Sequence, residues 1–225
     1  MKNSKLIFIT PFLFLFLTVT SFSQGSLSFG LGAAFPIADF AANDINNDDA
    51  GGAATGLNLD FNYVYSFSES GLGLFGGLDL CYNGLRTDVK NSIEKEFEGM
   101  GIYNADYQYY SYFNIPVSAG LNYTQKVRQN ISLFTNLGIA ASFLKISDMV
   151  IKVSSQQVSM EFKPDIRFGF KISGGFILNK TSISVNYLGL GKHNIKVTMI
   201  SAGDLQEVEG KQKVGIVTLT LGIKI

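Results

Sequence analysis

The sequence has no tryptophan, one cysteine, one histidine and four prolines among its 225 residues. A single cysteine, Cys81, excludes an intrachain disulfide and any metal site built from several cysteines. Charged residues make up 16% of the chain, whereas ordinary soluble domains have about 25%. Because 18 basic residues balance 18 acidic ones, the chain also lacks the basic footprint of a nucleic-acid-binding protein.

Long apolar runs are absent except at the N-terminus, which excludes a bundle of membrane-spanning helices. Residues 1–23 predict a secretory signal peptide, since Lys2 and Lys5 precede the apolar core LIFITPFLFLFLTV and the small, polar stretch TSFSQ follows it. A retained membrane anchor is the alternative, because residues 6–22 nearly reach spanning length. We expect cleavage and a mature domain that covers residues 24–225.

The mature sequence does contain eight stretches in which bulky apolar side chains alternate with small or polar ones. This period of two is typical of β-strands with two different faces. In the second stretch, Leu57, Leu59 and Phe61 share one face, and Asn58 and Asp60 share the other. The predicted strands cover residues 26–37, 54–67, 72–86, 106–124, 131–144, 164–178, 181–191 and 212–225.

The connections between these strands alternate in length, which predicts antiparallel neighbours with their loops sorted to opposite ends. Long connections cover residues 38–53, 87–105, 146–163 and 192–211, and short turns cover 68–71, 125–130 and 179–180. An even number of strands returns both ends of the chain to one side. We therefore predict an all-β fold, an eight-stranded antiparallel up-and-down transmembrane β-barrel.

The composition of the two strand faces predicts which face points outwards. A sheet spans a bilayer only when it is closed, because every backbone N–H and C=O must be paired. The polar, charged face suits a narrow lumen filled by side chains, so we expect the apolar face to contact outer-membrane lipid. Aromatic clusters at Tyr63, Tyr65 and Phe67, and at Tyr107 and Tyr109, would lie at headgroup level. The alternative is a soluble lipocalin-like barrel with its apolar face inside.

Four charged residues predicted to point inwards form the sharpest candidate site. Asp60 and Asp79 lie on neighbouring strands, and Arg167 and Lys171 share the sixth strand. Because charges in a narrow barrel must be paired to offset desolvation, we expect these four to form a structural network that closes the lumen. The alternative is a water-filled path with charge selectivity.

Enzymatic function has little support in the sequence. The only histidine, His193, follows the seventh strand, and Ser182 and Ser184 lie well before it, whereas a nucleophile and its base need hydrogen-bond reach. The acidic residues of 38–53 lack the spacing of an EF-hand loop. We expect no catalytic residue, no cofactor and no metal ion.

The signal segment, the eight strands and the sequence YFNIPVSAGLNY at residues 112–123 resemble the PorT-like outer-membrane β-barrel family of Bacteroidota, over residues 25–225. The resemblance implies an outer-membrane location, no cofactor, and an accessory role in secretion or envelope assembly. Such barrels usually end in an aromatic residue, whereas this chain ends at Ile225. We expect this difference to affect the efficiency of assembly and not the fold.

Two functions stay open from the sequence. The leading one is a non-enzymatic, monomeric barrel that is structural or presents its four long connections to an unidentified protein or ligand, since loops on rigid scaffolds often carry function. The second is a narrow porin-like channel for ions or small solutes. A lipid-modifying barrel enzyme and a soluble carrier have less support.

Overall fold

A computed structural model of the protein describes residues 25–44, 47, 49–67, 70–153, 156–201 and 204–225, so the expected signal peptide at 1–23 lies outside the described residues. The strands are β1 (Gly25–Pro36), β2 (Gly56–Ser66), β3 (Leu72–Asn83), β4 (Asp106–Gln108), β5 (Tyr112–Arg128), β6 (Ile131–Ile146), β7 (Met149–Val153), β8 (Gln156–Lys163), β9 (Asp165–Leu178), β10 (Thr181–Ser201) and β11 (Asp204–Lys224). A 3₁₀ turn (Ala38–Phe40) follows β1, and helix α1 (Thr87–Gly99) follows β3.

Eight of these strands close into a ring in the order β1-β2-β3-β5-β6-β9-β10-β11, and every neighbouring pair is antiparallel. The last strand pairs with the first, from Ser28 opposite Lys224 to Pro36 opposite Ile216. The predicted eight-stranded up-and-down barrel is confirmed. Its closure gives each wall strand two hydrogen-bonded neighbours, which is what a sheet in lipid requires.

The two ends of the barrel differ. Short turns at 129–130 and 179–180 lie at one end, together with the end of β2 at Ser66, the start of β3 at Leu72, Gly25 and Ile225, and we call this the turn end. The longer segments lie at the opposite end, the loop end. The expected turn at 125–130 is wrong in extent, because β5 continues to Arg128 and pairs with β6 up to that residue.

The wall has an apolar outside and a polar inside, as the alternation predicts. Ile139 and Phe168 keep 72% and 79% of their surface exposed, whereas Asn58, Asp79 and Asn114 are fully buried in the lumen. We call the exposed band the apolar belt; it includes Leu31, Leu57, Leu59, Leu72, Leu74, Val117, Leu121, Leu137, Ile139, Phe168, Ile172, Val185, Leu219 and Leu221.

At the loop end, a second sheet rises above the barrel. The upper halves of β10 and β11 pair with each other up to Ser201 opposite Asp204, β8 pairs with β10, β7 with β8, and β4 with β7. We call this five-stranded unit the extension sheet. The long connections expected at 146–163 and 192–211 consist mostly of strand residues. β10 and β11 continue beyond the barrel wall, and β8 and β7 extend the sheet that these two strands form there.

Helix α1 occupies most of the expected connection at 87–105 and packs beside the extension sheet. The Phe97 ring lies 6.0 Å from Tyr107, and Tyr107 stacks on Tyr109 at 5.7 Å between ring centroids. These tyrosines contact the helix, and their expected position at headgroup level stays a prediction. No helix in the described part of the chain is both long and apolar enough to cross a membrane.

The first long connection folds back into the loop-end mouth of the barrel. Phe40 is fully buried, with its ring centroid 4.9 Å from that of Tyr112. The Ala53 N–H donates to the Phe40 carbonyl at 3.0 Å, and the Tyr112 hydroxyl donates to the Gly51 carbonyl. These contacts belong to a buried apolar cluster, the mouth plug, formed by Ala34, Phe40, Ala53, Cys81, Tyr112, Ala140, Leu144, Ile146, Leu188, Leu190, Val214 and Ile216.

Candidate functional site

Below the mouth plug, a lysine and two aspartates meet inside the lumen. The Lys171 Nζ lies 2.8 Å from Asp79 Oδ2 and 3.1 Å from Asp60 Oδ2, and it donates a hydrogen bond to each oxygen. The side chains of Lys171 and Asp79 are fully buried, and Asp60 is 7% exposed. We call these three residues the lumen triad.

The strand order explains how the triad forms. Asp60 and Asp79 are directly opposite each other on β2 and β3, a position at which two like charges destabilise a sheet. β9 lies four strands from β2 around the eight-stranded ring, so Lys171 reaches across the lumen and places its ammonium between the carboxylates. A bare pair of aspartates would lack this compensation.

Gly77 on β3 leaves the space that the triad uses. A Cβ at this position would lie 2.7 Å from Asn62 Oδ1, 2.8 Å from Ser118 Oγ and 3.6 Å from Lys171 Nζ. The first two separations are shorter than real Cβ contacts allow, so a side chain here must displace the polar groups around the ammonium. The glycine therefore serves close packing in the lumen.

Amides and hydroxyls extend the polar filling above and below the triad. Asn62 Nδ2 donates to Asp60 Oδ1, and Asn58 donates to Thr220 at 3.3 Å. The Cys81 thiol donates to Asn58 Oδ1 at 3.2 Å. Since Asn58 and Cys81 are buried, each bond satisfies polar groups that water does not reach.

Arg167 does not join the triad, and the expected four-residue network is corrected to three members. Its Nε donates to Asp165 Oδ2 at 2.9 Å, and its side chain is 37% exposed. Four residues along β9 separate Arg167 from Lys171, which is about 13 Å of strand. A side chain that points into the lumen therefore does not necessarily join the network, because the members of a network must also lie at the same height in the barrel.

His193 lies near Arg167 and far from the serines considered as nucleophiles. Its Nδ1 is 3.2 Å from Asp165 Oδ2, whereas Ser182 and Ser184 line a cavity at the turn end. Nine residues of β10 separate His193 from Ser184, or roughly 30 Å. This arrangement does not bring a base to a nucleophile.

The described residues contain no group of three or more His, Cys, Asp or Glu side chains arranged to hold a metal ion. In the first long connection, Asp48 lies outside the described residues, and Asp49 pairs with Lys192 at 2.7 Å.

A polar cavity of about 90 Å³ separates the triad from the turn end. Asp60 and Asn62 lie at its inner side, and its wall consists mainly of hydroxyl and amide side chains from Ser26, Ser28, Ser66, Asn122, Thr124, Asn136, Ser182, Ser184, Asn186 and Thr220. From loop end to turn end, the lumen therefore contains the apolar plug, the triad and this cavity.

The extension sheet carries charged pairs on one face. Lys196 pairs with Glu209 at 2.6 Å and Lys163 with Glu207 at 2.9 Å. The hydrogen bond to Glu209 raises the pKa of Lys196, and the hydrogen bond from Lys163 lowers the pKa of Glu207. These groups are solvent-exposed, so the pairs set charge pattern more than stability.

One long edge of the extension sheet has no neighbouring strand among the described residues. β11 pairs with β1 only from Ile216 onwards, so β10 is the only described strand that pairs with its upper half. Near the barrel, Gln212 donates to the Asp49 carbonyl and Lys213 pairs with Asp39, so the open part of the edge lies above these two residues. Leu205 and Val208 on this edge are 69% and 48% exposed. An edge of this kind presents backbone donors and acceptors to another chain.

The residues that sequence reasoning missed are Phe40, Gly77 and the extension-sheet strands. Phe40 has one available signal, since it is the only aromatic residue in segment 38–53, where most other residues are small or polar. Gly77 has none, because its role depends on three side chains from other strands.

No family model matches the chain, and no curated protein matches it either. Solved structures with a similar arrangement include the attachment invasion locus protein Ail of Yersinia pestis, with 14% identity, coverage of 90% of this chain and 99% of that one, and a TM-score of 0.41. Neisserial surface protein A has 12% identity, coverage of 90% and 97%, and a TM-score of 0.45. A major outer membrane protein from Thermus thermophilus has 10% identity, coverage of 89% and 99%, and a TM-score of 0.48. All three TM-scores are below 0.5, so the barrel assignment rests on the strand pairing of this chain itself.

Proposed function

We propose that this protein is an exported outer-membrane β-barrel without enzymatic activity, whose lumen is closed and whose extension sheet is a binding surface outside the cell. The observation that carries the proposal is the apolar belt around a charged, sealed interior. The sequence pattern of residues 1–23 supports export through a cleaved signal peptide, and the mature domain is then 24–225.

The apolar belt supports a lipid environment on physical grounds. Soluble monomers rarely expose contiguous apolar patches beyond a few hundred Å², whereas here large apolar side chains are exposed on every strand of the ring. Ile139, Phe168 and Leu57 each keep more than 60% of their surface exposed. Lipid contact removes this surface from water at no cost to the polar lumen.

Two barriers in series support a closed lumen. The mouth plug fills the loop end with Phe40 and Tyr112, and the triad crosses the lumen below it. An ion passing through must displace both the apolar cluster and the Lys171 ammonium from its two carboxylates. This favours a structural or binding role over the porin-like channel.

The extension sheet supports binding as the role. It stands at the end opposite Gly25 and Ile225, and its β11 edge offers unpaired backbone groups beside Leu205 and Val208. A peptide strand can add to such an edge. The resemblance of YFNIPVSAGLNY to the PorT-like family adds the more specific proposal of an accessory role in secretion or envelope assembly.

Heat modifiability of the outer-membrane fraction tests the core of the proposal. We expect the protein in that fraction to migrate differently in detergent gels before and after boiling, because a closed barrel resists unfolding by detergent. A protein that is soluble and shows no shift would refute the membrane barrel.

Conductance in a planar bilayer tests the closed lumen separately. We expect no stepwise conductance from the wild-type protein. Discrete steps that change in Asp60→Asn would refute closure and support the channel instead.

A further inference from the structure

Two lysines at the turn end of the lumen have no ion-pair partner among the described residues. Lys126 lies on β5 and Lys224 on β11, which are separated by four strands in either direction around the ring. Lys126 has the same strand parity as Asn122 and Thr124, and Lys224 lines the cavity with Thr220. Lys224 is thus part of the cavity wall, whereas Lys126 is exposed at the rim, just beyond the lining residues Asn122 and Thr124 on the opposite wall.

Basic groups outnumber acidic ones around the two ammonium groups, since Arg128 and Lys180 lie at the same end and the terminal carboxylate of Ile225 is the one negative group on the described residues there. Around the turn end, residues 25–28, 63–67, 70–73, 122–134, 176–184 and 220–225 contain no acidic side chain, and Glu69 lies outside the described residues. The nearest carboxylate that lines the cavity is Asp60, which already binds Lys171. The mouth is therefore a region of positive charge at the edge of a low-dielectric wall, where an anion is favoured.

The cavity wall adds neutral donors to these charges. Hydroxyl groups of Ser26, Ser182 and Ser184 line it, and they form no hydrogen bond with another described residue. A Cβ on Gly222 would lie 2.7 Å from Ser182 Oγ, so the glycine keeps this hydroxyl accessible. Hydroxyl donors and ammonium groups together are suited to an oxyanion with several acceptor oxygens.

We propose that the turn-end cavity binds a phosphate-type oxyanion between Lys126 and Lys224. A tetrahedral phosphate offers oxygens in several directions at once, so one group can accept from both opposing lysines and from the serine hydroxyls. A planar carboxylate has only two oxygens and meets fewer of these donors. The phosphate comes either from solution or from the headgroup of a lipid in the inner leaflet, since the mouth lies at the edge of the apolar belt.

Titration with inorganic phosphate tests the site in the refolded protein in amine-oxide micelles, whose headgroup carries no phosphate. The backbone amide shifts of Thr220, Gly222 and Lys224 are followed by NMR at constant ionic strength, with chloride replaced by phosphate. We expect saturable shifts in the wild type. Since each substitution removes a charged donor to the bound phosphate, each of Lys126→Gln and Lys224→Gln should weaken phosphate binding about tenfold or more.

Lys180→Gln is the matched control, because Lys180 is an exposed lysine in a turn at the same end. It removes the same charge from the turn end without removing a donor from the cavity, and it should leave the affinity unchanged. Heat modifiability of each variant shows that the barrel is intact. Non-saturable shifts in the wild type, or an equal loss in Lys180→Gln, would overturn the proposal in favour of general charge screening.

The source of the phosphate is tested in nanodiscs. Discs of phosphatidylcholine alone are compared with discs that also contain phosphatidylglycerol, at the same ionic strength. Weaker inorganic-phosphate binding in the phosphatidylglycerol discs, abolished by Lys126→Gln/Lys224→Gln, supports occupation by a lipid headgroup. Because phosphatidylcholine also carries a phosphodiester, the affinity in phosphate-free micelles is the reference. Equal affinity in the micelles and in both discs supports free phosphate as the ligand, and absence of saturable binding in the micelles refutes the site.

Discussion

Replacement of Lys171 by methionine tests whether the lumen triad stabilises the barrel as a charge-compensated unit. Methionine keeps a long, unbranched side chain, so the change removes the ammonium with little loss of packing. Asp60 and Asp79 then face each other inside the lumen without a cation, and one of them is fully buried. Removing one partner of a buried ion pair costs about 3–5 kcal/mol, and we expect a loss of that size in the free energy of unfolding.

The assay is equilibrium unfolding of the refolded protein in micelles, followed by far-ultraviolet circular dichroism because the chain has no tryptophan. Arg167→Met is the matched control: its partner Asp165 is on the same strand and both side chains are partly exposed, so we expect a loss of about 0–1 kcal/mol. Adding Asp60→Asn and Asp79→Asn to Lys171→Met should recover part of the stability. Equal losses for Lys171→Met and Arg167→Met would refute the reasoning, as would a triple variant less stable than Lys171→Met alone.

Three further predictions concern other parts of the molecule. Phe40→Ala should remove the centre of the mouth plug and lower the free energy of unfolding by about 3–5 kcal/mol, which the same unfolding experiment measures. Ile139→Arg should place a charge on the apolar belt and cost about 2–4 kcal/mol in lipid vesicles. The hydrogen bonds that Arg86 donates lower the pKa of Asp88 at the start of α1 below its ordinary value of 3.8. The charged carboxylate therefore stabilises the helix start above pH 3.8, and this stability is lost as the pH falls through the lowered pKa. The NMR signal of the Val89 amide, which donates to Asp88 Oδ1 at 3.0 Å, should report this loss.

Each of these has a matched control and a contrary outcome. Met100→Ala changes an exposed apolar residue after α1 and should cost far less than Phe40→Ala; similar losses would show that Phe40 is not part of a packed plug. For Ile139→Arg the control is Lys145→Arg, which keeps a charge on an exposed loop-end residue and should leave the free energy of unfolding unchanged. An Ile139→Arg variant as stable as the wild type would argue against lipid contact at the belt. For the helix, Asp88→Asn should abolish the acid step at Val89, and persistence of the step in this variant would assign it to another group.

The barrel could be predicted because apolar and polar side chains alternate with a period of two residues in every wall strand. Leu57 to Phe61 on β2 and Ile166 to Ile172 on β9 repeat the same alternation, and the connection lengths give the order of the strands. The extension sheet follows the same local geometry, but its alternation places charges such as Lys196 and Glu209 on one face. A charged face of this kind is also found in solvated loops, so the sequence alone does not identify these residues as strands. The pairing of β8 with β10 does.

The candidate site could be predicted only in part, because alternation gives the direction of a side chain and not its height. Asp60, Asp79 and Lys171 point inwards at compatible levels, whereas Arg167 points inwards near the loop end and meets Asp165 first. Helix α1 does have a sequence signal, since Val89, Ile93 and Phe97 repeat every four residues, but alternation with a period of two does not detect it in this charged connection. Phe40 required knowledge of the space inside the mouth, which depends on the radius of the closed ring.

The pairing of β1 with β11 also determines when the barrel can form. These two strands are separated by almost the whole described chain, so the closing contact has the largest sequence separation in the ring. Non-local strand pairing of this kind makes folding slow. Until β11 is in place, β1 and β10 each keep an edge of unpaired N–H and C=O groups, and in lipid such groups cost several kcal/mol each. The first and last strands therefore make folding all-or-none, since a partly built wall has no stable position in a bilayer.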